Sequence, residues 1–152
     1  MTSPQPGRAD TYRTPVQIAA LVVGAVFLLV GAAGFVPGLT TDYATMQLIG
    51  HESQAMLLGV FQVSILHNLV HLVFGVLGVL LARTATQARL FLLVGGIAYL
   101  VLWLYGMVIE YDSAANFVPL NTANNWLHLG LGLAMVALSF LRGERSPQSE
   151  TV

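Results

Sequence analysis

Residues 53–82 contain no Asp, Glu, Lys or Arg. A helix of these 30 residues would be about 45 Å long, whereas the hydrocarbon core of a bilayer is about 30 Å thick. Charged residues make up 9% of the chain, compared with about a quarter in soluble domains. We therefore infer an integral membrane protein, and its 152 residues leave no room for a separate soluble catalytic domain.

Three further charge-poor apolar runs indicate more membrane helices. Together the runs predict helices at about residues 15–36, 56–82, 89–110 and 124–142. Pro15 suits a first helical position, and Pro37 with Gly38 ends the first run. Residues 1–14 and 143–152 are predicted to be disordered tails. The predicted fold is all-α, an integral membrane four-helix bundle over residues 15–142.

The charges segregate to opposite ends of the predicted helices. All arginines fall on one side: Arg8, Arg13, Arg83, Arg89, Arg142 and Arg145. Four acidic residues fall on the other side: Asp42, Glu52, Glu110 and Asp112. Under the positive-inside rule this pattern predicts a multi-pass protein of the plasma membrane with cytoplasmic N- and C-termini.

A short motif occurs twice. The spacing Asn-x-x-His-Leu-x-x-Gly begins at Asn68 in the second predicted helix and at Asn125 in the fourth. A weaker similarity relates residues 21–24 to residues 92–95. Because both predicted hairpins start on the same side, the repeat would be parallel, with a pseudo-twofold axis along the membrane normal.

Three histidines lie inside the apolar runs. Counting from the nearest following arginine places His71, His128 and His67 about 18, 21 and 24 Å from the cytoplasmic helix ends. Ionisable residues at membrane depth are functional-site candidates by default. Small residues, among them Gly75 and Gly132, recur at helical spacing on the same faces as the histidines, so we expect these faces to lie at helix contacts and the histidines to converge. Candidate supporting polar residues are Ser64, Asn68, Asn125, Gln62 and Glu110.

Three interpretations of the histidines stay open. They are hydrogen-bonded structural residues, or His67 and His71 bind a transition metal with His128 as third ligand, or His71 and His128 hold a b-type haem from facing helices. The chain has no cysteine, so a metal would need histidine, carboxylate or methionine ligands.

No known enzyme template matches this sequence, and it has no basic patch for nucleic acid. We therefore expect an accessory or structural membrane protein rather than an enzyme. Its partners would be the lipid bilayer and either another membrane protein or further copies of itself. The alternative is a redox module that binds a transition metal or haem at His67, His71 and His128.

Several segments resemble a known family. They are residues 13–17, the His67-Asn68-x-x-His71 segment, residues 112–119 and residues 121–128. Over about residues 14–141 the chain resembles small four-helix bacterial membrane proteins that are catalogued as a domain of unknown function. The resemblance implies a similar length and topology and an origin mainly in high-GC Gram-positive bacteria, and it carries no assigned activity.

Overall fold

A computed structural model of the chain describes residues 13–143. The described residues are mostly helical, as predicted, with α1 at Pro15–Ala33, α2 at Ile65–Leu81, α3 at Ala85–Val108 and α4 at Thr122–Ser139. Most of both predicted tails, residues 1–12 and 144–152, lies outside the described residues. Helix α1 packs mainly against α2, and α3 packs mainly against α4. We call the end with the two long connections the loop end, and the end with the α2–α3 connection the turn end.

Helices α2, α3 and α4 each begin at a residue whose side chain accepts a backbone N–H of the first turn. The side chain of Ser64 accepts the backbone N–H of His67 at 3.2 Å, and Asn121 accepts that of Asn124 at 2.8 Å. The Thr84 hydroxyl accepts the N–H of Gln87 and starts α3 at Ala85 rather than at the predicted residue 89. These caps satisfy N–H groups that have no partner inside the helix.

The predicted start of the second helix at residue 56 is wrong. Residues 56–62 instead form two strands, β2 at Met56–Leu57 and β3 at Phe61–Gln62. They make a small antiparallel sheet with β1 at Thr40–Thr41. Between β2 and β3 the chain turns through Leu58 and Gly59, both with positive φ, a conformation that glycine adopts at little cost. The uncharged run of residues 53–82 therefore contains the β2–β3 hairpin, which lies at the loop end of the bundle, before α2 begins.

Close backbone contacts hold each helical hairpin together. A Cβ atom added to Gly75 would lie 2.8 Å from the carbonyl oxygen of Gly24. In the second hairpin, a Cβ atom added to Gly132 would lie 3.0 Å from the carbonyl oxygen of Gly96. Both Gly75 and Gly132 belong to the predicted small-residue faces, and their position at helix contacts is confirmed.

Side chains also join the helices at the turn end. Gln17 of α1 donates hydrogen bonds to the carbonyls of Ala82 and Arg83, at 3.0 and 2.8 Å. Arg89 of α3 donates to the carbonyls of Ser139 and Leu141, at 3.0 and 3.1 Å. In each hairpin the first helix therefore satisfies free carbonyls at the end of the second.

The outer faces of the bundle are apolar along all four helices. Large hydrophobic side chains with about half or more of their surface exposed include Val22, Leu29, Val73, Val101, Leu104 and Leu133. Such a continuous apolar surface is typical of contact with lipid or a partner. Among the described residues, α1 and α3 are long and apolar enough to cross a membrane, and α2 is a shorter apolar helix.

Candidate functional site

His67 and His71 lie together on α2, one turn apart. Their rings stack with centroids 4.5 Å apart and planes 5° from parallel. His71 Nδ1 lies 2.9 Å from the carbonyl oxygen of His67. Because a carbonyl can only accept, Nδ1 carries the hydrogen and Nε2 is the acceptor in the neutral His71 ring.

Tyr99 of α3 joins the second helix to the fourth. Its hydroxyl lies 3.5 Å from His71 Nε2, at the outer limit for a hydrogen bond. Its ring packs edge-to-face on His128 of α4, with centroids 5.1 Å apart. The structure therefore brings the three predicted histidines to one region through a residue that the sequence analysis overlooked. The available signal was a hydroxyl-bearing aromatic residue in the middle of an otherwise apolar run.

Phe27 of α1 completes this layer. It packs against His71 with centroids 5.5 Å apart and an interplanar angle of 56°, close to the 5.1 Å and 63° of Tyr99 on His128. Phe27 and Tyr99 also stack on each other, 5.6 Å apart and 11° from parallel. We refer to Phe27, His67, His71, Tyr99 and His128 as the ring layer.

A cavity of about 290 Å³ lies against one side of the ring layer. Its polar lining consists of Ser64, His67, His71, Tyr99 and His128, and its apolar lining consists of Leu66, Val70, Leu102 and residues 117–119. Leu66, Val70 and Phe117 are each about half exposed on the bundle surface. This main cavity is therefore reached from the side of the bundle, between α2 and the α3–α4 connection.

Buried Asn116 holds the segment that contributes residues 117–119 to the lining of the main cavity. Its Nδ2 donates to the carbonyls of Tyr111 and Leu120, both at 2.9 Å, and its Oδ1 accepts the N–H of Leu120 at 2.9 Å. The carbonyl of Phe117 in turn accepts the N–H of Gly50. The two long connections are thus tied to each other beside the cavity.

A second cavity, of about 110 Å³, is lined by the same four residues of the ring layer as the main cavity. It is lined by His67, His71, Tyr99 and His128 together with Val30, Asn124, Leu127, Leu131 and four residues of the sheet region. Asn124 Nδ2 donates to the carbonyls of Gln62 and Pro119, at 2.7 and 2.9 Å. These two carbonyl partners fix the orientation of the amide and leave Oδ1 as an acceptor.

Three buried polar atoms beside the cavities have no hydrogen-bond partner among residues 13–143: His67 Nδ1, His128 Nδ1 and Asn124 Oδ1. His128 is 4% exposed and Asn124 is 2% exposed. A buried polar group without a partner costs about 1–3 kcal/mol. A molecule that paired with these atoms would recover part of that free energy.

Comparison with protein families identifies the chain. The family model for a domain of unknown function, DUF4383, matches residues 17–141. This chain belongs to the DUF4383 family. No curated protein and no solved structure matches it.

Apart from the proximity of the three histidines, the geometry of this DUF4383 chain gives the metal and haem hypotheses no support. Among residues 13–143, no three His, Cys, Asp or Glu side chains are arranged to hold one metal ion. The parallel stack of His67 and His71 does not aim two ring nitrogens at a common point. Tyr99 contacts both His71 and His128 and so occupies the space that a haem held between them would need. Both hypotheses stay predictions.

Four of the five remaining predicted site residues of the DUF4383 chain lie outside both cavity linings. The side chain of Asn68 contacts Gly34, and that of Asn125 contacts Gly106, so each packs its own hairpin rather than a histidine. Gln62 donates to the carbonyls of residues 51 and 53. Glu110 is exposed beyond the end of α3. Ser64 lines the main cavity, but its hydroxyl accepts a hydrogen bond from the backbone N–H of His67 and not from an imidazole N–H.

Proposed function

We propose that this protein is a multi-pass plasma-membrane protein with cytoplasmic termini and that it has an accessory, ligand-binding role. The apolar outer faces of the helices support the membrane location. The exposed arginines at the turn end are Arg13, Arg83, Arg89 and Arg142, and the exposed acidic residues at the loop end are Asp42, Glu52, Glu110 and Asp112. This segregation supports a cytoplasmic turn end.

The two hairpins are proposed to be a parallel repeat. A single shift along the chain takes Gln17 to Arg89, Gly24 to Gly96 and Phe27 to Tyr99. A second shift takes Ser64 to Asn121, Asn68 to Asn125 and His71 to His128. The members of each pair make corresponding contacts. These contacts support an alignment of residue 24 with residue 96, one position away from the alignment suggested by the sequence.

The main cavity is the proposed binding site for a small, uncharged, lipid-soluble molecule. The observation that carries this proposal is the combination of a polar ring layer at the back of the cavity with half-exposed Leu66, Val70 and Phe117 at its mouth. Because the mouth faces the side of the bundle, a molecule dissolved in the bilayer can enter without crossing water. Cavities of about 300 Å³ are at the lower end of the range for small-molecule sites.

Charge supports an uncharged ligand. Within the described chain, neither cavity is lined by Asp, Glu, Lys or Arg. A charged ligand would therefore enter an apolar site with no counter-ion, at a cost of several kcal/mol. A neutral molecule with one polar group avoids this cost, since its apolar body contacts the aliphatic lining and its polar group meets Tyr99 or a histidine.

Photolabelling tests the proposal. Protein in lipid vesicles is irradiated with 1-octanol that carries a diazirine in its chain, and labelled residues are located by mass spectrometry. We expect labels on the lining of the main cavity. Val70→Trp should fill the mouth and reduce them, whereas Val73→Trp, on the same helix but outside the lining and 60% exposed, should not. Equal labelling in both variants would refute a site at this position.

The alternative function is a transition-metal or haem b redox module at His67, His71 and His128. The proximity of the three residues is its support. Metal analysis and a Soret-region spectrum of protein purified in mild detergent test it. Histidine-bound metal should be released at acidic pH, since a protonated imidazole has no lone pair for metal. Metal that persists after His71 and His128 are both replaced would point instead to the carboxylates at the loop end.

A further inference from the structure

The geometry points to a second ligand site, in the cavity between α4 and α1, that takes the hydroxyl head of a lipid-soluble alcohol. This inference rests on the proposed function, because it assigns the second cavity to the class of ligand proposed for the main one. The second cavity has its own aliphatic lining but shares His67, His71, Tyr99 and His128 with the main cavity.

Several lining positions of the two cavities correspond. The shift that takes Phe27 to Tyr99 also takes Val30 of the second cavity to Leu102 of the main one. The shift that takes His71 to His128 also takes Val70 to Leu127. The repeat thus relates the main cavity, in the cleft between α2 and α3, to the second cavity, in the cleft between α4 and α1.

The polar atoms of the second cavity differ from those of the main one. His67 lines both cavities, and only the second cavity is also lined by the residue that corresponds to His67 in the repeat, Asn124. Its Nδ2 is engaged by two carbonyls, and its Oδ1 is buried without a partner. This oxygen can only accept, so it calls for a ligand that donates a hydrogen bond. A hydroxyl group donates one bond and can accept another, for example from a neutral histidine.

The second cavity also reaches the outer surface of the bundle, both at Leu58 of the β2–β3 turn, which is 64% exposed, and at Leu127 of α4. Leu127 is 43% exposed on α4 and corresponds to Val70 at the mouth of the main cavity. A volume of about 110 Å³ accommodates a hydroxyl and the first carbons of a chain. The rest of the chain would leave between α4 and α1 into the bilayer, so the alcohol does not need to fit inside the bundle as a whole.

The experiment compares two probes on the wild-type protein in lipid vesicles. One is the diazirine-bearing octanol, and the other is its methyl ether, which keeps the acceptor oxygen but lacks the donor hydrogen. We expect the ether to label residues around Leu127 and Val30 about fivefold less than the alcohol does, which corresponds to one hydrogen bond of about 1 kcal/mol. Equal labelling of these residues by both probes would overturn the hydroxyl assignment.

Substitutions at the cavity mouth test the position of the second site independently of its preference for a hydroxyl group. Leu127→Trp should remove alcohol labels from the α4–α1 cleft and leave those in the α2–α3 cleft. Leu133→Trp is the control, since Leu133 is exposed on the same helix and lines neither cavity. Labels in the main cavity with none in the second would overturn this inference and leave the proposed function intact. Labels in neither cavity would contradict both.

Discussion

Replacing Gly75 with alanine should weaken the packing of α1 on α2. The added Cβ would lie 2.6 Å from Leu28 Cγ, 2.7 Å from Leu28 N and 2.8 Å from the Gly24 carbonyl oxygen. Non-bonded carbon atoms are optimally about 3.5–4.0 Å apart. Two of the three contacts are with backbone, which cannot rotate away, so the helices must separate by several tenths of an ångström.

The size of the effect follows from two opposing terms. Alanine gains about 1 kcal/mol over glycine inside a helix, whereas overpacking a close contact costs about 1–3 kcal/mol. Gly130→Ala is the matched control, because nothing lies within 4 Å of a Cβ at this position in α4. The control should show the helix gain alone. The free energy of unfolding should therefore be lower for the Gly75 variant than for the Gly130 variant by about 1–3 kcal/mol.

The assay is unfolding of the purified protein in detergent micelles by added SDS, followed by far-UV circular dichroism. The Gly132→Ala variant should resemble the Gly75→Ala variant, since its Cβ would lie 2.8 Å from the Leu100 side chain and 3.0 Å from the Gly96 carbonyl oxygen. If the Gly75 and Gly130 variants unfold with the same free energy, the close approach of the helices is not a determinant of stability and our reasoning fails.

Four further predictions concern topology, helix ends and the connections. In intact cells a cysteine at Thr45 should react with an impermeant thiol reagent and one at Thr86 should not; the reverse would refute the orientation. Arg89→Ala should cost about 1 kcal/mol in SDS unfolding, because two helix-end carbonyls lose their donor, and rescue by glutamine, the residue at the corresponding position 17, would support the repeat. Asn116→Ala should destabilise the protein by about 3 kcal/mol and reduce photolabelling of the main cavity, since three buried hydrogen bonds are lost. Ser64→Ala should cost about 1 kcal/mol by removing the α2 cap; no change in unfolding would show that the cap is dispensable.

The sequence predicted the helical class from its composition and from the length of its apolar runs. These properties depend on whether the chain folds in water or in lipid, and they can be read without knowledge of tertiary contacts. It also predicted the faces around Gly75 and Gly132, because small residues at helical spacing mark the places where backbones can approach. The spacing shared by Asn68 and Asn125 was visible as well. Each amide contacts a glycine of its own hairpin, which the sequence could not indicate.

The start of α2 could not be read from the absence of charge. Lack of charge is compatible with a strand as well as with a helix, and strands of two residues have no measurable periodicity. The local signals were Gly59, which permits the turn with positive φ, and Ser64, which caps the helix. The apolar run extends beyond these local signals, so a boundary set by the length of the run falls at residue 56, whereas α2 begins at Ile65.

The sequence by itself determined that the chain forms apolar helices with arginines at one end and with histidines within the apolar segments. Only the tertiary structure decided that Tyr99 lies between His71 and His128. It also decided that each of the two cavities is lined by residues of both hairpins. The physical reason is that these features depend on the rotation and height of one helix relative to another. Those quantities are set by the sum of many side-chain contacts between segments far apart in the chain, and no local pattern of residues encodes them.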